Sequence, residues 1–252
     1  MSGATPEGGR APAPPGRLAR FAAARLDPTS SLGLHLTVGL AAFLLALWAF
    51  GALLEEVLDD ATMVRLDVAA DAWIHAHATP GGLRLFDAVT QFGSPAVMGL
   101  AAVVGAVLLW RTRHRLTLVT WVAAFAGGAL VDQVLKVLVH RARPAYGAAY
   151  LHGHSYSFPS GHAMGSIIGY AMIVIALRRH VPAARRHVVA VSVAAAVCVL
   201  AIGASRLYLG VHYPSDVVGG WAAGAVWLAV CLTAASVARG RRGAAMAPDA
   251  AR

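Results

Sequence analysis

The sequence predicts an all-α, polytopic membrane protein. It reads as a six-transmembrane-helix bundle with short amphipathic surface helices between helices 1 and 2. Three observations point there. Hydrophobic residues make up 58% of the 252 residues and charged residues only 13%, far from the balance of a soluble domain. Six apolar runs have roughly the length that crosses a bilayer. Arginines cluster in alternate gaps between these runs, while acidic residues crowd into a different gap. The formal charge of +9 does not indicate nucleic acid, because the arginines form short clusters and build no basic face.

Taken in order, residues 1–30 are rich in Pro, Gly, Ala and Arg and are expected to form a disordered, basic, cytoplasmic tail. The first apolar run, Leu32 to Leu54, is too long for the core of a signal peptide and is assigned to the first crossing. Glu55 and Glu56 are expected to end it. Residues 55–93 hold seven of the twelve acidic residues: Glu55, Glu56, Asp59, Asp60, Asp67, Asp71 and Asp87. Within them Leu66, Ala70, Trp73, Ile74 and His77 share one helical face. Thr79-Pro80 has the form of an N-cap followed by proline at the first helical position, and Leu83, Phe86, Val89 and Thr90 repeat the pattern. Two short amphipathic helices on the membrane surface are expected here.

Pro95 to Trp110 is the second expected crossing, closed by Arg111, Arg113 and Arg115. Leu116 to about Leu138 is the third, and residues 139–160 form a polar loop. Gly161 to Leu177 is the fourth, closed by Arg178 and Arg179. Arg185 and Arg186 precede the fifth, Val188 to about Ala204, and residues 205–213 are expected to be a loop. Pro214 to Val237 is the sixth, so the membrane domain spans 31–237 and residues 238–252 form a second disordered basic tail. The positive-inside rule puts both termini in the cytoplasm, in a plasma (inner) membrane. The acidic segment and the 139–160 and 205–213 loops then share the outer face.

That face collects the titratable residues. Lys136, Arg143 and Arg206 are fixed cations suited to a polyanionic head group. If the third helix continued through Arg143, the spacing of seven would put Lys136 and Arg143 on one face, and Pro144 would stop it. Read alone, Lys136 equally well pairs with Asp132 one turn below or snorkels to the surface. In Ser157-Phe158-Pro159-Ser160-Gly161-His162, Ser160 stands where an N-cap belongs, and Gly161 permits close backbone approach. The free N–H groups of a helix start favour an anion to which His162 could donate a proton, though an ordinary capped helix start with a chance histidine reads the same. His212 has Asp216 four residues on, either as an orienting partner that leaves the second ring nitrogen available as a nucleophile or as an ordinary loop His–Asp surface pair. His140, His152 and His154 admit a zinc site only weakly, since HExxH is absent and Cys198 and Cys231 lie inside apolar runs.

Together these residues resemble the type-2 phosphatidic acid phosphatase family, which includes the lipid phosphate phosphatases and is related to vanadium haloperoxidases and glucose-6-phosphatase. The family pattern has a lysine, six residues, then Arg-Pro, here Lys136 to Arg143-Pro144. Pro-Ser-Gly-His follows as Pro159 to His162, then Ser-Arg, five residues, His, three residues, Asp, as Ser205-Arg206, His212 and Asp216. The resemblance implies a phosphatase in which His212 attacks phosphorus, Asp216 orients it and His162 protonates the leaving alkoxide. Lys136, Arg143, Ser160, the Gly161 N–H and Arg206 would hold the phosphoryl oxygens, with no metal or other cofactor. The implied partners are the bilayer and a membrane lipid phosphate, hydrolysed at the outer face. Candidates are a polyprenyl pyrophosphate such as the undecaprenyl carrier, phosphatidic acid and phosphatidylglycerol phosphate. A lipid phosphotransferase, or a non-catalytic lipid-phosphate binder or transporter, are the alternatives.

Overall fold

The structure, a computed structural model, describes residues 34–59, 62–150 and 155–245. The chain divides into two compact units, Met1–Ala42 and Phe43–Arg252, and every expected site residue lies in the second. Apart from one short 3-10 turn at Ala148–Tyr150, the regular elements among the described residues are all α-helices. Helix α1 is Leu34–Leu58. It runs past its expected end, because glutamate is a good helix former and Glu55 and Glu56 are exposed.

Helices α2 (Thr62–Ala76) and α3 (Pro80–Gln91) fill the acidic segment. Thr79 caps α3 as expected, its Oγ accepting a hydrogen bond from the Gly82 N–H at 3.1 Å, with Pro80 at the first helical position. Helix α2 overturns the expected facing. Asp67 and Asp71 are its buried residues, whereas Leu66 is 58% and Trp73 65% exposed. Asp67 turns inward onto Arg141 and Ser215, and apolar side chains cost little when the surroundings are hydrocarbon.

Helix α4 is Pro95–Arg111, capped by Ser94, and α5 is Arg115–Val139. Helix α6 is Gly161–His180, the short α7 is Pro182–Arg185, α8 is Val188–Tyr208 and α9 is Pro214–Ala245. Among the described residues, five stretches are long and apolar enough to cross a membrane: Pro80–Arg111, Arg115–Val139, Gly161–His180, Val188–Tyr208 and Pro214–Arg241. The chain is therefore multi-pass. The crossing expected over 32–54 begins outside the described residues, as do the tails 1–30 and 246–252. Residues 238–245 are helical, since α9 simply extends through its arginines.

Two expected local features change. Helix α5 ends at Val139, with His140 in the left-handed conformation (φ 52°) and its N–H bonded to the Lys136 carbonyl. Arg143 is thus not on the helix face that carries Lys136; it comes from the irregular segment that follows the helix. Ser205 and Arg206 belong to the last turn of α8, not to a loop. Helix α3 prolongs α8 by packing on it: Phe86 lies 4.5 Å from the Tyr208 ring, and the Thr79 N–H donates to Tyr208 Oη at 2.9 Å.

The core joins Trp121 and Ala124 of α5, Met164, Ile168 and Met172 of α6, and Ala223 and Cys231 of α9. Helices α6 and α9 touch most closely near the site. A Cβ at Gly220 would lie 2.6 Å from the Ser160 carbonyl oxygen and 3.2 Å from the Met164 nitrogen. Both obstacles are backbone and cannot rotate away. Gly220→Ala is therefore expected to destabilise the fold by about 1–3 kcal/mol through overpacking. Thermal unfolding in detergent measures this, and an unchanged melting temperature would contradict the close contact.

Candidate active site

The three sequence clusters meet at one end of the bundle, where α5 ends, α6 and α9 begin and α8 finishes. Lys136, Arg143, Gly161, His162, Arg206 and His212 all line one cavity there, of about 1010 Å³. At the opposite end His114 stacks on His180 at 3.8 Å, beside the arginine clusters that close α4 and α6.

His212 follows the turn at Gly210 and is 2% exposed. Its two ring nitrogens have different neighbours. Nε2 lies 3.0 Å from Arg143 Nη1. A guanidinium only donates, so Nε2 is the acceptor and the ring proton of the neutral imidazole sits on Nδ1. Nδ1 faces Asp216 Oδ2 at 3.5 Å, with Ser157 Oγ also at 3.5 Å. Burial pushes the His212 imidazole down to about 4 against the upward pull of Asp216, and Arg143 and Arg206 depress it further. The ring is thereby kept neutral, the form a nucleophile needs.

Asp216 is fully buried. Arg141 Nη1 donates to its Oδ1 at 2.6 Å; Ser157 Oγ at 2.5 Å and the Tyr213 N–H at 2.8 Å donate to its Oδ2. Its main-chain carbonyl accepts from the Ser160 N–H at 2.9 Å, joining the His212 segment to the start of α6.

Lys136 is 5% exposed and does pair with Asp132 one turn below, the simpler of its expected arrangements. It also donates to the Pro159 carbonyl at 3.0 Å, which aims it across to Gly161. A Cβ at Gly161 would stand 3.3 Å from Lys136 Nζ and 3.1 Å from Asp132 Oδ2. The close backbone approach expected of Gly161 is thus toward this ion pair. Ser160 has extended backbone geometry before α6 but makes no capping bond; its buried Oγ has no hydrogen-bond partner among the described residues. Arg206 is held through Nη1 by Thr90 Oγ1 at 2.8 Å, and its Nε is likewise buried and unpartnered. Arg143 donates to the carbonyls of Ser155, Tyr156 and Val211, which fix its guanidinium at the cavity wall. Burial lowers its proton affinity, with Asp216 and Asp132 opposing.

His140 packs edge-on to Tyr156 away from these groups, and His152 and His154 lie outside the described residues. Sequence reasoning missed Asp67, Asp132 as a cavity residue, Thr90, Arg141 and Ser157. Arg141 and Ser157 stand close to the recognised motifs, the only signal available; Asp67 and Thr90 come from segments with no motif.

Comparison with known proteins agrees with this geometry. The profile of the PAP2 superfamily matches residues 117–239. Phosphatidylglycerophosphatase B of Bacillus subtilis (strain 168) is 33% identical over 54% of this chain and 66% of its own length, so the chain spans just under two thirds of that relative. Decaprenylphosphoryl-5-phosphoribose phosphatase of Mycobacterium tuberculosis (strain CDC 1551 / Oshkosh) is 33% identical over 58% of this chain and 76% of its own length. The crystal structure of a transmembrane PAP2 type phosphatidylglycerolphosphate phosphatase from Bacillus subtilis superposes with a TM-score of 0.66 at 27% identity. It covers 79% of this chain and 96% of that one. A multi-pass helical bundle, six of the motif residues lining one cavity and these likenesses together show that the chain belongs to the PAP2 superfamily.

Proposed function

We propose that this chain is an integral membrane lipid phosphatase that cleaves a terminal phosphate or pyrophosphate from a lipid through a phosphohistidine. The observation that carries the reading is the two-part character of the cavity. Lys136, Arg143 and Arg206 stand at one end with His162 and His212. The remainder is walled by Met98, Val103, Trp121, Val122 and Phe125, from α4 and α5. A phosphate fits the first part and a hydrocarbon chain the second. The names of the relatives, one a glycerolipid phosphatase and one a decaprenyl phosphatase, support a lipid substrate.

In this mechanism the substrate phosphate takes over the Arg143 contact and frees Nε2 of His212. Nε2 attacks phosphorus in line; the N–P bond forms as the P–O bond to the lipid breaks, and His162 gives the leaving oxygen its proton. Asp216 faces Nδ1–H and stabilises the charge that the ring gains. Lys136, Arg143, Arg206, Ser160 Oγ and the Gly161 N–H stabilise the phosphoryl oxygens, usually the largest catalytic contribution. Water, relieved of a proton by His162, then breaks the N–P bond and releases phosphate. The fixed cations make a metal unnecessary.

The reading includes six crossings, cytoplasmic termini and a site on the extracytoplasmic face of the plasma membrane, because the arginine clusters lie at the far end from the cavity. A polyprenyl pyrophosphate is the first substrate to test, ahead of phosphatidic acid and phosphatidylglycerol phosphate.

Four outcomes are expected. His212→Ala should lower turnover by about three orders of magnitude or more and remove the alkali-stable phosphoenzyme, while wild-type activity survives chelators and vanadate inhibits. The depressed His212 value keeps the nucleophile neutral through about pH 5, so nitrogen-labelled histidine NMR should show no protonation of this ring near 6.5; titration there would contradict the buried, neutral ring. A cysteine introduced by Gly81→Cys should react with an impermeant reagent in intact cells, and one introduced by Arg186→Cys only after the membrane is opened; the reverse pattern would put the site inside. Catalytic efficiency should favour long-chain lipid phosphates over soluble phosphate esters, and a preference for the soluble esters defeats the lipid assignment.

A further inference from the structure

The sequence motifs account for His212 and Asp216, but not for what stands behind them. Arg141 is wedged between two buried carboxylates. Its Nη1 donates to Asp216 Oδ1 at 2.6 Å and to Ser215 Oγ at 2.7 Å, and its Nη2 donates to Asp67 Oδ2 at 2.8 Å. The guanidinium also lies over the Tyr213 ring at 4.6 Å. Asp67, from α2, is 1% exposed; its Oδ1 accepts from the Ser215 N–H at 3.0 Å, and its Oδ2 accepts from the Ser215 hydroxyl. Asp67 therefore caps α9 from another part of the chain while neutralising Arg141.

Charge counting explains why two carboxylates are needed. Asp216 with Arg141 alone is a neutral pair, and its field at His212 is largely cancelled. Asp67, Arg141 and Asp216 together carry one net negative charge in a buried setting where charges act strongly. Burial disfavours the Arg141 charge, yet Asp216 and Asp67 raise its proton affinity above the ordinary guanidinium value.

We infer that Asp67 and Arg141 are positioning residues: Arg141 fixes Asp216 so that Oδ2 faces His212 Nδ1, and Asp67 offsets Arg141 so that Asp216 keeps its negative field at the ring. The inference rests on His212 being the nucleophile. It assigns to α2 a part in the chemical step, when the N–P bond forms, the lipid P–O bond breaks and positive charge appears on the imidazole. The other charged or titratable groups facing His212 are Arg143 from the irregular segment after α5, Arg206 from α8, Lys136 from α5 and His162 from α6.

The test uses the full chain in detergent and radiolabelled dioctanoyl phosphatidic acid, with alkaline quench to trap the phosphoenzyme. Asp67→Asn keeps an acceptor for the Ser215 N–H, removes the charge, and puts an amide NH2 where Oδ2 accepted from Arg141 and from the Ser215 hydroxyl. It is expected to slow phosphoenzyme formation and kcat by about tenfold with KM within about twofold, in protein that still unfolds cooperatively at a lowered melting temperature. The double variant Asp67→Asn/Arg141→Gln removes one charge of each sign and returns the lone negative charge to Asp216. It is expected to recover about threefold or more of the loss, a non-additivity that a purely structural role does not produce. Wild-type kcat in Asp67→Asn, a loss confined to KM, or a double variant slower than the single one overturns the inference. If Asp67→Asn does not fold, the double variant decides alone: kcat within about tenfold of wild type supports the inference, and a lower kcat overturns it. A wild-type chain that releases phosphate but forms no phosphoenzyme instead refutes the mechanism above.

Discussion

One carboxylate ties the site together. Asp216 receives Arg141, Ser157, the Tyr213 N–H and the His212 ring on its side-chain oxygens, and the Ser160 N–H on its main-chain oxygen. Through these contacts the 139–144 segment, the start of α6 and the start of α9 are fixed to one another. A buried carboxylate is costly unless its lone pairs are filled, and filling them requires donors from every segment that must converge. The constraint that makes Asp216 tolerable is the one that assembles the site.

A second balance concerns the cations. Lys136, Arg143 and Arg206 crowd one cavity end, and the polar groups already in place answer them unequally. Lys136 has the full charge of Asp132 and Arg206 has the Thr90 hydroxyl. Arg143 has carbonyl oxygens and an imidazole. At the site, Ser160 Oγ and Arg206 Nε are buried and unpartnered among the described residues, as Trp221 Nε1 is elsewhere. Buried polar groups left open in this way are uncommon except where a ligand completes them.

Much of this was legible in the sequence. Helix starts at Pro80, Pro95, Gly161 and Pro214 follow from proline, serine and threonine chemistry, and the three motif clusters converge on one end of the bundle as the alternation of crossings implied. What could not be read was long-range. No local rule says that Asp67 pairs with Arg141, 74 positions away in sequence, and so the amphipathic pattern of α2 pointed the wrong face inward. The continuation of α8 through Arg206 depends on Tyr208 meeting α3, again a contact between distant segments. Arg143 illustrates the opposite error, in which an ideal helical period was extended across a stretch where His140 breaks it.

The Arg143–His212 contact has a chemical consequence for the resting protein. With its lone pair engaged at 3.0 Å, Nε2 is a poor ligand for stray transition metals and a sluggish target for acylating reagents. In the mechanism proposed above, an oxyanion that drew the guanidinium away would uncover that lone pair as it arrived, so that one side chain would both shield the ring and recognise the charge that bares it.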